Sequence, residues 1–231
     1  MQPPPQAAQP PPVVTLDQAG VTSLANELVK RGPNPQQRAA LAIAGVPGSG
    51  KSTLANAVAA AINQHKPGSA LTFAMDGYHM TNEKLERLGR RDRKGAVHTF
   101  EAQQYFKRLA ELRDASKKVR VPVFDRTHND PVYTGKPEHT ADAQTRFIIT
   151  EGNYLLLDTL PWTAIDDVTD LRVWIDIPEA VARQRTIKRH IEFGRTPQEA
   201  KLWYETNDQL NASYIRDRSR HADLVARWPK D

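Results

Sequence analysis

Short apolar runs alternating with amphipathic stretches set the rhythm of this chain. LAIAG at 41–45, ALTFAM at 70–75, RFIIT at 146–150 and LRVWIDI at 171–177 read as strands, with VRVPVF at 119–124 and ADLVARW at 222–228 as further candidates. Pro122 places the VRVPVF strand at an edge or near its own end, because proline cannot donate to a ladder. Between these runs the apolar spacing is helical: Val21, Leu24 and Leu28; Leu54, Val58 and Ile62; Ala102, Phe106 and Leu109. Residues 178–193 predict another helix. Thr196-Pro197-Gln198-Glu199 then starts one that runs to about Arg218. Thr15 and Gln18 have capping-box spacing, so an N-terminal helix is expected over 15–31, closed by Gly32 and Pro33. Strands alternating with helices predict an α/β domain with a mainly parallel sheet.

No internal repeat and no second domain is visible. MQPPPQAAQPPP at the start holds six of the seventeen prolines. It predicts a disordered tail over 1–13, followed by one domain over 14–231 whose nucleotide-binding core starts at 38. Phe100, Phe106, Leu109 and Trp174 read as core.

The 231 residues include no cysteine, which excludes disulfides, thiolate chemistry and Cys-based zinc sites. The seven histidines are scattered without metalloprotease spacing. No run approaches the roughly 18 apolar residues of a membrane span, so no membrane partner is expected. The opening residues also lack the pattern of a signal peptide, which makes the cytoplasm the expected compartment. Net charge is +5, with basic groups at Arg87, Arg90, Arg91 and Arg93 and at Arg183, Arg185, Lys188, Arg189 and Arg195. That charge suits an anionic partner. No RNA-recognition signature or aromatic-basic interleaving accompanies it, so nucleic acid is not expected.

GVPGSGKST at 45–53 narrows the anion to a nucleoside triphosphate. Glycines let the loop curl so that backbone N–H groups face phosphate oxygens, and the following helix adds its positive end. Gly45, Pro47, Gly48, Ser49, Gly50, Lys51, Ser52 and Thr53 form the expected cradle for ATP. Within it Lys51 would neutralise the β- and γ-phosphates and Ser52 would ligate Mg2+. In an open α/β sheet, ligands gather at the carboxyl ends of strands. Asp76 follows ALTFAM and Glu151 follows RFIIT, so both acids are candidates for that crevice, as proton acceptor or as magnesium ligand.

GVPGSGKSTLA, MDGYHM, RKGAVHTFE, VPVFDRTHNDPV, EGNYLLLD and RHIEFGRT, in that order, resemble the phosphoribulokinase/uridine kinase/type I pantothenate kinase family, and most closely its bacterial nucleoside- or sugar-kinase-like members. The resemblance runs from about Arg38 to the C-terminus. It implies a P-loop fold with a helical lid near 185–200, and transfer of the γ-phosphate of ATP, with magnesium, to a hydroxyl of a small molecule. It further implies that Asp76 is the catalytic aspartate, that Glu151 stands on the metal side, and that Arg189 and Arg195 belong to the lid. Lys94 matches a lysine in the active site of pantothenate kinases. Asp125 and His128 fall where uridine kinases hold their acceptor. There the chain departs from the pattern, with one residue fewer between acid and histidine and with Arg126 inserted, and this leaves the acceptor open among pantothenate, a nucleoside and a sugar. Family members include dimers, so a homodimer is among the assemblies the resemblance allows.

The expected sites are therefore Asp76, Lys51 and Arg189 for catalysis, and Ser52, Glu151 and Asp76 for the metal. Arg195 joins the nucleotide cradle. Tyr78, His79, Lys94, His98, Asp125, Arg126 and His128 are the candidates for the acceptor. Arg185 is four residues from Arg189, and the spacing alone does not separate lid from solvated face. The competing function is a P-loop ATPase or nucleotide switch without an acceptor; no N-K-x-D guanine signature is present.

Overall fold

The computed structural model describes residues 10–32 and 34–229. In chain order the elements are β1 (Val13–Thr15), α1 (Gln18–Arg31), β2 (Ala39–Ala44), α2 (Lys51–His65), β3 (Ala70–Ala74), α3 (Asn82–Arg87) and α4 (Ala102–Arg113). There follow β4 (Val119–Arg120), β5 (Val123–Asp125), β6 (Asp130–Val132), β7 (Thr140–Ala141), β8 (Phe147–Gly152), α5 (Ile165–Val168) and β9 (Leu171–Asp176). The chain closes with α6 (Glu179–Glu192), α7 (Pro197–Trp203), a π-helical turn at Tyr204–Asp208, α8 (Gln209–Arg218) and β10 (Leu224–Arg227).

Six strands form one sheet in the order β1-β10-β9-β2-β8-β3, and every pairing within it is parallel. Helices cover both faces, which is why the central strand β2 is buried along its whole length. Its two faces differ in bulk. Leu41 and Ile43 join Leu24, Leu28, Leu54 and Val58 beneath α1 and α2. The small side chains of Ala40, Ala42 and Ala44 look the other way, into a layer containing Phe73, Tyr105, Leu109 and Tyr154. Within that layer the rings of Phe73 and Tyr105 stack at 5.1 Å, and Phe106 and Tyr154 meet Trp162 at 5.8 and 5.7 Å.

A fully buried charge closes the bottom of the sheet. Arg38, just before β2, donates to the carbonyls of Thr145, Leu112, Asp114, Lys117 and Asp142 at 2.7–3.0 Å. Burial lowers its pKa, but the ring of carbonyls satisfies the guanidinium and caps the C-terminal end of α4.

The N-terminus differs from expectation. Pairing of β1 with β10 keeps the chain in the sheet through Thr15, so α1 starts at Gln18 and the cap falls to Asp17, which accepts from the Gly20 amide at 2.8 Å. Most of the expected tail, residues 1–9, lies outside the described residues, as does Pro33. Of the remainder, Val13 is in a strand and the Pro12 carbonyl accepts from Val225 at 2.9 Å. VRVPVF also departs from expectation. Pro122 divides it into β4, paired with β7, and β5, which pairs antiparallel with β6 as a ribbon outside the main sheet. Among the described residues no helix is long and apolar enough to cross a membrane.

Candidate active site

Strand register brings the site together. Glu151, in β8, lies opposite Ile43 of β2 on one side and Ala74 of β3 on the other. The phosphate cradle leaves β2 one residue later, and Asp76 leaves β3 two residues later in a 3₁₀ turn. Glu151 sits inside its strand rather than after it, which places its carboxylate between the other two groups.

The cradle packs tightly. Gly48 has φ +78°, and a Cβ there would stand 2.4 Å from the Ala182 carbonyl oxygen and 2.5 Å from Thr186 Oγ1, so the first turns of α6 buttress the loop. Trp228 supports it from another side, its Nε1 donating to the Ser49 carbonyl at 2.7 Å. Lys51 Nζ donates to the Val46 carbonyl at 2.9 Å, and Ser52 Oγ to Glu151 Oε1 at 2.8 Å. Burial pushes the Lys51 ammonium down to about 8, against the pull of Glu151 and Asp76.

The two acids are driven apart electrostatically. Burial and then the charge of Asp76 raise the Glu151 pKa. Burial opposes ionisation of Asp76 as well, but His79, Arg126, Arg189 and Lys51 outweigh it and hold that carboxyl below its ordinary value. Arg126 Nη2 lies 3.6 Å from Asp76 Oδ2.

Beyond Asp76 opens a cavity of about 300 Å³, bounded by the β5–β6 ribbon on one side and α6–α7 on the other. Of the residues expected at the acceptor, His79, Lys94 and Arg126 line it; so do Arg189, expected in catalysis, and Arg195, expected in the nucleotide cradle. His79 lies between the rings of Phe100 and Phe124, with centroids 4.0 and 4.6 Å away, and its Nδ1 is 2.8 Å from the Asp76 carbonyl. Burial lowers its pKa and favours the neutral ring.

Four of the expected acceptor residues do not line the cavity. Tyr78 turns into the core, edge-on to Phe73 and Tyr105 at 5.6 Å, because the 3₁₀ turn sends consecutive side chains in different directions. His98 borders a separate hollow near Phe100, Trp162 and Tyr214. Asp125 and His128 pair with each other at 2.6 Å, and the Asp125 carboxylate accepts from the Thr127 amide at 2.8 Å to shape the ribbon's turn. Arg185 is exposed on α6.

Lys94 lines the cavity, but its three N–H groups are already engaged. They reach Asn82 Oδ1 at 2.7 Å, the Asn129 carbonyl at 2.6 Å and Asp130 Oδ1 at 3.0 Å. The ammonium clasps the ribbon to the start of α3. The π-helical turn supplies two further polar residues, both buried. Asn207 Nδ2 donates to the Lys94 carbonyl at 3.0 Å, and Asp208 accepts from His190 Nε2 at 2.7 Å. His190 Nδ1 in turn accepts from Arg195, whose guanidinium lies 4.0 Å above the Trp203 ring.

Comparison with known proteins gives a consistent result. The model described as the Phosphoribulokinase / Uridine kinase family matches residues 40–230. The Schizosaccharomyces pombe protein named "Putative uridine kinase C227.14" is 32% identical over 199 residues, covering 82% of this chain and 83% of that protein. The Escherichia coli protein YggC is 31% identical, covering 86% of this chain and 81% of the relative. Among solved structures, a "putative fructose transport system kinase" from Silicibacter sp. TM1040 superposes with a TM-score of 0.80 at 32% identity, covering 90% of this chain and 98% of that one. YFH7 from Saccharomyces cerevisiae shares the fold at 18% identity, with a TM-score of 0.77 over 94% of this chain and 100% of that one.

The clasp around Lys94 generates a structural test. K94M leaves Asp130 and the Asn129 carbonyl without their partner, at a cost of about 2–3 kcal/mol concentrated in the ribbon. Hydrogen exchange at the amides of 124–130 and 132 should therefore accelerate by about 30-fold or more. Unchanged exchange there would show that Lys94 does not hold the ribbon.

Proposed function

The chain belongs to the phosphoribulokinase/uridine kinase family, and from that premise we propose that it transfers the γ-phosphoryl group of ATP to a hydroxyl of a small molecule. One observation carries this reading: Asp76 stands between the phosphate cradle and a separate cavity, so a single carboxylate can address both a triphosphate and an acceptor.

The residues fit a magnesium–triphosphate ligand. Ser52 and Glu151 present hard oxygens side by side, and the two neighbouring acids, which disfavour each other's charge, would both gain from a cation. Among the described residues no group of three or more His, Asp and Glu could hold a metal without help. That suits Mg2+, which relies on one or two carboxylates plus substrate phosphates. When bound, the ion would draw charge from the phosphate oxygens, with Ser52 and Glu151 holding it; Asp76, also expected on the metal, is left to the acceptor hydroxyl.

The protein's own residues then supply position and charge. Lys51 and the loop amides hold the β- and γ-phosphates. Asp76 orients the acceptor hydroxyl and takes its proton as the new O–P bond forms and the bond to the β-phosphate oxygen breaks, releasing ADP. A carboxylate held below its usual pKa is a weak base, which suits a loose transition state in which the proton leaves late. Arg189, half-buried on α6 beside Asp76, balances the negative charge of the group in flight.

Asp76→Asn preserves shape and removes the base. It is expected to lower the transfer rate by at least about 100-fold while leaving nucleotide affinity within about threefold, measured by coupled assay and by calorimetry. Transfer near the native rate would remove Asp76 from this role. Lys51 gives a pH test. Its ammonium is charged below about 8 and becomes neutral as pH rises through that value, and phosphate oxygens favour the charged form. Affinity for ATP should therefore be level below pH 8 and fall by up to about tenfold per unit above it. Affinity that stays flat well above pH 8 would contradict a buried, depressed Lys51.

A further inference from the structure

Resting on the kinase reading above, we propose that the acceptor is itself an anion, a hydroxylated carboxylate or phosphate monoester, and that Arg126 binds its charged group. Four cationic side chains line the cavity. Lys94 has no donor left, since Asn82, Asn129 and Asp130 take all three of its N–H groups. Arg195 is engaged with His190 and stacked on Trp203. Arg126 and Arg189 differ from both. Among the described residues neither guanidinium donates a hydrogen bond to protein, and the loose contact of Arg126 with Asp76, at 3.6 Å, lies beyond hydrogen-bond range. Two planar forks of five donors each therefore face one cavity with their donors unspent.

Their supports assign them different tasks. Arg189 rises from α6, the helix whose first turns pack against the phosphate loop at Gly48. Arg126 projects from the β5–β6 ribbon, which also contributes Phe124, Thr127 and Asn129 to the cavity wall. Its guanidinium lies 5.6 Å from the centre of the Phe193 ring, an aromatic face that keeps it oriented while leaving its edge free. Asp208 is taken by His190, and Asp76, the acid paired with Arg126, stands 3.6 Å away and spends none of the fork's hydrogen bonds. A neutral acceptor would leave this exposed fork to water and the loose contact with Asp76. A carboxylate or phosphate would accept it bidentately and fix the distance between the anionic end and the hydroxyl at Asp76.

The test pairs neutral and anionic probes in ATP-dependent phosphorylation by the full-length protein: glycerol against D-glycerate, glucose against gluconate, and fructose against fructose 6-phosphate. The members with charge should be favoured by about 30- to 100-fold in kcat/KM, and R126Q should collapse that ratio through KM, with R126K restoring it only in part. Preference for gluconate or glycerate identifies a carboxylate acceptor; preference for fructose 6-phosphate identifies a phosphate. Calorimetry of the same probes on protein loaded with a non-hydrolysable ATP analogue separates this inference from the kinase reading. Binding of an anionic probe that R126Q abolishes, without turnover, would uphold the anion site while removing the kinase reading. Turnover that favours the neutral probes, or an R126Q effect confined to the KM for ATP, would overturn the anion site and leave the kinase reading standing. Absence of both binding and turnover for every anionic probe would overturn it as well.

Discussion

The parallel seating of β8 between β2 and β3 is the constraint on which the rest depends. It places Glu151 level with Ile43 on one side and Ala74 on the other, so three chain segments leave the sheet within about one residue of each other. One segment becomes the phosphate loop, one carries Asp76, and one contributes Glu151. A slip of a single residue would turn Glu151 to the opposite face and separate it from Ser52. The all-buried β2, alanine on one face and leucine and isoleucine on the other, and the carbonyl-ringed Arg38 below it hold that register in place.

Bringing these segments together concentrates charge. Lys51, Glu151, Asp76 and Arg189 lie where water is partly excluded, with Arg126 exposed at their rim, and isolated ions would be costly there. The site is tolerable because signs alternate: the cations hold Asp76 in its charged form, and the acids offset part of the burial that pulls Lys51 down. The same arrangement favours binding of a polyanion with its metal, which adds charge of both signs to a site already built to accommodate each. Peripheral charges behave differently. Lys94 and the Asp208–His190–Arg195 chain use their hydrogen bonds to hold the ribbon and the α6–α7 corner in position around the cavity.

Much of this was legible because the relevant signals are local. The glycine spacing before Lys51, the apolar runs before Asp76 and around Glu151, and the capping box at Thr196, which the structure shows complete, are written within a few residues. What could not be read depends on partners distant in sequence. Thr15 and Gln18 have the spacing of a cap, but β10, some two hundred residues on, recruits Thr15 into the sheet. Tyr78 and His79 are adjacent and equally polar in outlook; only the 3₁₀ turn and the aromatic layer beneath decide that one enters the core and the other the cavity. Asp125 and His128 satisfy each other in a turn, while the residue between them that broke the family pattern, Arg126, faces the site. Trp228 has no local signal for its contact with the phosphate loop.

The central claim is that Asp76 serves an acceptor other than water. Supplying ATP labelled in the γ-phosphate, with Mg2+ and a mixture of hydroxylated acids, sugars and nucleosides, and then following the label tests it most directly. The account predicts that the label appears in a new, acid-stable phosphate monoester whose formation depends on the added acceptor. Label released only as inorganic phosphate, at a rate indifferent to every acceptor, would contradict it.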